Sequence, residues 1–321
     1  MKLGTVENGS RDGALVVVSA DGKHFAWPAQ PTTMQQAIEC WDDAGTELEA
    51  LAARLADDGG EPTSGVRFNA PLPRAWQWLD GSAFDAHGYV MQKAYKLKPV
   101  EHDKPLMYQG MSHQFYGPND DIPLPQEEDG IDFEGEFGII IDEVPMGTSP
   151  ADAMQHIKLL VQINDWSLRT IAPAEMKTGF GWVQAKPACS VAPFAVTPDE
   201  LGDSWAHGRV NLTLEVKWNG KLFGNAHGEA MSIGFHDLIA HAAATRSLCA
   251  GTIIGSGTVA NDNNREIGTS CISERRGIEI IDEGEPVTPY MSFGDTVFME
   301  ARTTDGNVLF GPINQRVCKL K

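Results

Sequence analysis

Three acids stand at alternating positions in Asp132-Phe133-Glu134-Gly135-Glu136, immediately before the apolar run Phe137 to Ile141. In an extended chain, side chains at i, i+2 and i+4 share one face and stand ~7 Å apart. On a sheet edge, such a face is a solvated guard against aggregation. Running into a core, the same carboxylates would protonate or demand a compensating cation. Further on, Asp165 follows the run Gln162-Ile163-Asn164 and precedes Trp166. Alone it reads as a turn or cap residue. Glu134, Glu136 and Asp165 together offer three hard oxygen ligands, and Asp80 would add a fourth. That is the chemistry of Mg²⁺ or Ca²⁺, with Mn²⁺ also suited, and not of zinc.

The rest of the composition limits what such a site could serve. With 44 acidic and 25 basic residues among 321, the formal charge is −19, so phosphate backbones and anionic bilayers are repelled and nucleic acid and membrane are poor partners. An anionic substrate needs a local cation to invert that field. Five cysteines (Cys40, Cys189, Cys249, Cys271, Cys318) show no C-x-x-C spacing, which fits a reducing compartment better than a disulfide framework or a structural zinc. The sequence has no apolar leader at Met1 and no run of about 20 apolar residues. A cytoplasmic protein is expected.

The elements that must position these groups fall into two textures. Residues 1–27 mix short apolar stretches with Asn8-Gly9, Asp12-Gly13 and Asp21-Gly22 turns, the signature of small hairpins. Thr32 or Thr33 can cap a helix reaching to about Ala56, with Gly45 as a possible break. The Gly-, Pro- and acid-rich stretch 57–63 reads as a linker, dividing a small N-terminal α+β domain (1–65) from a β-rich domain (66–321). Strands are expected at Phe137 to Ile141, Val210 to Val216, Glu279 to Ile281 and Thr296 to Ala301, and helices at Ala151 to Val161 and Phe235 to Cys249. No βαβ alternation and no G-x-G-x-x-G after a strand occurs. The GTIIGSG run from Gly251 lacks the P-loop Lys, so it carries little weight as a nucleotide site.

Taken in order, the motifs resemble the fumarylacetoacetate hydrolase family over roughly residues 70–321. They are the D-x-E-x-E run, the N-D-W segment with Arg169 four residues after Asp165, Lys186, the G-S-G-T segment Gly255 to Thr258, and Glu274. The N-terminal part is similar to the small domain that precedes the catalytic part in longer members. The resemblance implies an α+β, β-rich fold with a β-sandwich roll, a homodimer, and a divalent ion held by Asp80, Glu134, Glu136 and Asp165. Asp80 stands seven residues before His87, as in the fumarylacetoacetase-like branch, and Gly88-Tyr89-Val90 after His87 lacks the Glu of the H-x-x-E dyad of the shorter branch. Two substrate-contacting positions of the family depart from its pattern, a Gln falling on Ala172 and an Arg on Lys96.

The implied reaction is hydrolysis of a carbon–carbon bond in a 1,3-diketo acid such as fumarylacetoacetate, as at the end of aromatic amino-acid (tyrosine) breakdown. His87 would be the general base, since an imidazole titrates near neutral pH, and Glu274 would orient it. The ion would stabilise the departing enolate; Lys186 and Arg169 would supply positive charge at the oxyanion and the substrate carboxylate. Tyr108 and Thr258 would contact substrate. Plainer readings stand beside these. Lys186 could be a solvated amine, Arg169 a surface ion pair, Glu274 part of an exposed cluster with Arg275 and Arg276, GSGT a tight turn, and Cys189 a small buried hydrophobe. Isomerisation, hydration or decarboxylation of another 2-oxo acid through the same site is the second functional reading, and a non-catalytic keto-acid-binding protein the third.

Overall fold

The computed structural model describes residues 1–97 and 104–321. The principal elements, in chain order, begin with β1 (Lys2–Val6), β2 (Ala14–Val18), β3 (His24–Ala26), α1 (Met34–Glu39) and α2 (Trp41–Asp58). Next come β4 (Trp78–Gly81), α3 (Asp85–Tyr95), β5 (Met107–Gly110), β6 (Ile122–Leu124), β7 (Ile131–Asp132), β8 (Gly135–Ile141), β9 (Ile157–Asn164) and α4 (Ala172–Thr178). The chain closes with β10 (Phe194–Val196), β11 (Thr213–Trp218), β12 (Lys221–His227), α5 (Phe235–Ala242), β13 (Thr252–Gly255), α6 (Ile272–Glu283), β14 (Thr296–Arg302) and β15 (Ile313–Lys319).

Two sheets make the α+β, β-rich architecture. In the larger, the order β3-β2-β1-β10-β9-β8-β13-β4-β5 joins the N-terminal hairpins to the central strands through the β1–β10 pair. The smaller is β12-β11-β14-β15-β6. Strand β8 is buried along its whole length because its two faces enter two cores. Phe137, Ile139 and Ile141 pack with Leu214, Val216, Met299 and Ala301 of the second sheet. Ile140 faces the other way, with Leu159, Val161 and Ile163, toward Met34, Ile38, Leu48 and Leu55 of α1 and α2. The central sheet is thus enclosed between the second sheet and the N-terminal helices, and its strands read as continuous apolar runs.

That enclosure explains where local patterning misleads. The helix expected over 151–161 is a single turn, Pro150–Ala153, capped by Ser149 and followed by a short 3₁₀ turn, after which β9 begins at Ile157. In Ile-Lys-Leu-Leu-Val-Gln-Ile-Asn both faces are buried, so the period-2 signal is absent. Glu279 to Ile281, expected as a strand, lies inside α6. The helix expected from Phe235 to Cys249 ends at Ala242. Thr33 does cap the N-terminal helix, accepting the Gln36 N–H, but the break falls at Cys40 and not Gly45. Among the described residues, no helix is long and apolar enough to cross a membrane.

Candidate active site

Neighbouring strands of the central sheet deliver the acids. Asp80 lies on β4, opposite Tyr108 of β5 on one side and Gly255 of β13 on the other. Glu136 lies on β8, opposite Ile163 of β9, and Asp165 follows the end of β9 directly. Each of Asp80, Glu136 and Asp165 can place a carboxylate oxygen within 4.8 Å of the other two, and all three are buried. Gly255 makes the room. A Cβ there would sit 2.4 Å from Asp80 Oδ1 and 2.4 Å from Trp78 Cη2, and 3.0 Å from Glu136 Oε2. Gly255→Ala is therefore expected to lower stability by about 1–3 kcal/mol through overpacking and to weaken divalent-ion binding ~10–100-fold by displacing two of its oxygens. Thermal melts and calorimetric titration with Mn²⁺ measure the two effects.

Both oxygens of Glu136 are buried without a hydrogen-bond partner. Such a carboxylate is unstable as an isolated anion. Burial, and then the nearby charges of Asp80 and Asp165, push Glu136 well above the usual carboxyl range; burial and then Asp165 do the same to Asp80. A proton relieves this strain, and so does a hard divalent cation. A buried, all-oxygen donor set with an orphaned carboxylate fits the cation.

Glu134, one of the four expected ligands, lies outside this cluster of three and is bonded to other partners. Its Oε1 accepts from Ser167 Oγ at 2.5 Å and Lys186 Nζ at 2.6 Å and lies 2.9 Å from Arg169 Nη2, while Oε2 accepts the Thr258 hydroxyl. Burial opposes its charge, but Arg169, Lys186 and His87 win and hold it well below the usual range. The acids of the 132–136 run therefore divide. Glu136 faces the carboxylate cluster, Glu134 the side chains of Lys186 and Arg169, and Asp132 accepts N–H groups from Ile272 at 2.7 Å and Ser273 at 2.9 Å.

His87 and Glu274 come together across 187 residues of sequence, His87 Nδ1 lying 3.2 Å from Glu274 Oε2. His87 is in the first turn of α3 and Glu274 in the first turn of α6. The two helices approach closely because Gly277 has no side chain, since a Cβ there would stand 2.8 Å from Val90 Cγ1. Asn264 Nδ2 holds the other Glu274 oxygen at 3.1 Å. With Nδ1 engaged by the carboxylate, Nε2 is the ring nitrogen left for proton transfer.

Lys186 bridges Glu134 to Asp165, with its Nζ 2.5 Å from Asp165 Oδ2, and those carboxylates keep its ammonium charged against its burial. Tyr108 donates its hydroxyl to the same Asp165 oxygen at 2.8 Å, beneath the Lys186 ammonium. The groups expected to contact substrate, Tyr108 and Thr258, thus bond to Asp165 and Glu134. The G-S-G-T segment is a turn with Gly257 at φ +77°, and it also works at the site, because the Gly257 N–H donates to Asp80 Oδ1 at 3.2 Å. Ala172 opens α4, and Lys96 is the exposed left-handed cap of α3. Sequence reasoning singles out neither Ser167 nor Asn264, and reads Cys189 only as a small buried hydrophobe, which it is. The Cys189 thiol donates to Asp165 Oδ1 at 2.9 Å, and burial, then Asp165, push its ionisation well up. Ser167 could have been noticed from its place beside Asp165, but no local signal marks Asn264.

The family model described as Fumarylacetoacetate (FAA) hydrolase C-terminal matches residues 77–318, and Fumarylacetoacetase N-terminal domain 2 matches residues 1–74. The chain is 28% identical over 235 residues to the mitochondrial oxaloacetate tautomerase Fahd2a of Rattus norvegicus, covering 72% of this chain and 70% of the relative. It is 28% identical over 158 residues to a 2,4-didehydro-3-deoxy-L-rhamnonate hydrolase of Sphingomonas sp., covering 48% and 53% of the two chains. Among solved structures, a maleylpyruvate hydrolase from Sphingobium sp. in complex with manganese(II) and pyruvate superposes with a TM-score of 0.66 at 19% identity over 100% of both chains. Fumarylacetoacetate hydrolase from Exiguobacterium antarcticum gives 0.68 at 19% identity over 99% of both. With matches to both of its parts, the second of them over most of the sequence, the chain belongs to the fumarylacetoacetate hydrolase family.

Proposed function

We propose that this protein is a divalent-metal-dependent enzyme that hydrolyses the carbon–carbon bond between the carbonyls of a small 1,3-diketo acid, fumarylacetoacetate being the first substrate to test. One observation carries the reading. A buried oxygen cluster containing the donor-less Glu136 lies beside an imidazole–carboxylate pair: Lys186 ties Asp165 of the cluster to Glu134, and Glu134 bridges to Cys271, whose thiol lies within 4.8 Å of His87 and Glu274. An ion held by Asp80, Glu136 and Asp165 supplies Lewis acidity toward the carbonyl oxygens of a keto acid. His87 Nε2 takes a proton from water, and Glu274 fixes the ring and balances the imidazolium. Lys186 and Arg169 place fixed positive charge in a protein whose net charge is −19, which allows a carboxylated substrate to approach. Thr258 and Tyr108 hold Glu134 and Asp165 in place and border the substrate space.

A second reading, enol–keto tautomerisation or isomerisation of a 2-oxo acid, is supported by the relatives named oxaloacetate tautomerase. It needs the same ion and a proton-transferring base but no nucleophilic water. The proposal includes Mg²⁺, Ca²⁺ or Mn²⁺ as the ion, a homodimer and a cytoplasmic setting. The manganese(II) of the maleylpyruvate hydrolase structure and the free cysteines support the first and last of these. The test offers stripped and Mn²⁺-loaded protein fumarylacetoacetate, maleylpyruvate and oxaloacetate, following enol absorbance and product acids. Ion-dependent release of two acids from a diketo acid is expected. Enol loss on oxaloacetate with no cleavage of the diketo acids would select the second reading, and no reaction in ion-loaded protein would overturn both.

A further inference from the structure

Asp132 begins the acidic run yet spends its carboxylate away from the ion cluster. It is fully buried. Oδ1 accepts the Ile272 N–H at 2.7 Å; Oδ2 accepts the Ser273 N–H at 2.9 Å and Arg169 Nε at 2.8 Å. Ile272 and Ser273 open α6, and the next N–H, that of Glu274, is accepted by Cys271 Sγ at 3.3 Å. On the other side, Arg169 Nη2 lies 2.9 Å from Glu134 Oε1, which is bonded to Lys186, and Lys186 is bonded to Asp165. A chain of hydrogen bonds and one ion pair therefore runs from Asp165 through Lys186, Glu134, Arg169 and Asp132 to the first turn of α6, and from Glu274 to His87; the Glu134–Arg169 link is the ion pair, Arg169 Nη2 making no hydrogen bond.

We propose that Asp132 is a positioning residue that registers the His87–Glu274 pair against the ion-binding carboxylates, so that filling the ion site tightens the first turn of α6. A charged group at a helix start is favourable in any case, and a cap-only role would end there. The added element is Arg169, which ties the same carboxylate to the other half of the site. Coupling carried through such a network is reciprocal and of modest size.

The inference rests on the proposed ion site, but its readout needs no substrate. Hydrogen–deuterium exchange at Ile272 to Glu274 is compared in stripped and Mn²⁺-loaded protein, with Mn²⁺ binding followed by calorimetry. In the wild-type chain, loading should slow exchange there roughly tenfold. Asp132→Asn keeps the shape but replaces one acceptor with a donor facing other donors, so Mn²⁺ should still bind while the slowing disappears. Arg169→Lys leaves both Asp132–helix bonds in place and should also uncouple, which keeps the test alive if the Asn variant does not fold. On any substrate the wild-type protein turns over, Asp132→Asn should lower kcat ~10-fold with little change in KM. Undiminished slowing in both variants, none in the wild-type chain despite bound Mn²⁺, or loss of Mn²⁺ binding in Asp132→Asn would overturn the proposal. Ion-dependent slowing with no turnover on any keto acid would sustain it while retiring the enzymatic reading.

Discussion

His87→Ala is expected to reduce kcat by ~10²–10⁴-fold on any substrate the protein turns over, the range that removal of a positioned general base produces. Affinity for Mn²⁺ should be unchanged, because His87 is not among the clustered carboxylates. The argument is geometric. The imidazole is mostly buried, its Nδ1 is held by a Glu274 carboxylate with 1% side-chain exposure, and that carboxylate is itself fixed by Asn264. A pair of this kind sets the tautomer and leaves Nε2 as the proton acceptor. Steady-state kinetics beside calorimetry on the same preparation check both halves. Unchanged kcat would reduce His87 to a structural partner of α6.

Glu136→Gln should weaken Mn²⁺ binding by ~100-fold, about 3 kcal/mol, since the substitution removes one of three anionic ligands from a buried site. The stability of the stripped protein should move the other way. Glu136 without an ion is a buried carboxyl lacking any donor, so an uncharged amide of the same shape should raise the melting temperature at neutral pH. The pH dependence has a definite sign. Burial first, then the charge of Asp165 on Asp80 and the charges of Asp80 and Asp165 on Glu136, raise the folded-state values of both, whereas in the unfolded chain both titrate near about 4. Across the interval above that value the folded state holds more protons, so the stripped protein loses stability as pH rises toward the raised folded values. An ion must displace those protons, so its affinity, and the melting-temperature gain at fixed Mn²⁺, should grow as pH rises in the wild-type chain and grow less steeply in Glu136→Gln, where only the proton on Asp80 remains to be displaced. Melting curves with and without Mn²⁺ over a series of pH values are the check.

Much of this site was legible because carboxylates running into an apolar strand are conspicuous. Glu136, Asp165 and Asp80 come together in one buried cluster. The division of labour among Asp132, Glu134 and Glu136 was not legible, because alternation in a strand gives a shared face but not what lies across from it. Only the tertiary structure brings Arg169, Lys186 and Thr258 to Glu134, and the start of α6 to Asp132. His87 and Glu274 have no local relationship at all, and were found through the family resemblance alone. In the fold, a doubly buried strand carries no alternation, which is why β9 passed for the end of a helix. Likewise Ile278-Glu279-Ile280-Ile281 has strand-like composition, but Gly277 and the burial of Ile278 place it in a helix against α3. A β-rich domain follows from the density of Gly and Pro turns between short apolar runs, whereas the packing of two sheets is implied only by the family resemblance.

The central claim is that Asp80, Glu136 and Asp165 hold a divalent cation. The most direct measurement is an anomalous difference map from crystals of stripped protein soaked in Mn²⁺. The account predicts a strong peak coordinated by one oxygen from each of these three side chains, with the Lys186 ammonium drawn away from Asp165 or sharing it. A Mn²⁺-soaked crystal with no peak there, and Lys186 still bridging Glu134 and Asp165, would contradict it.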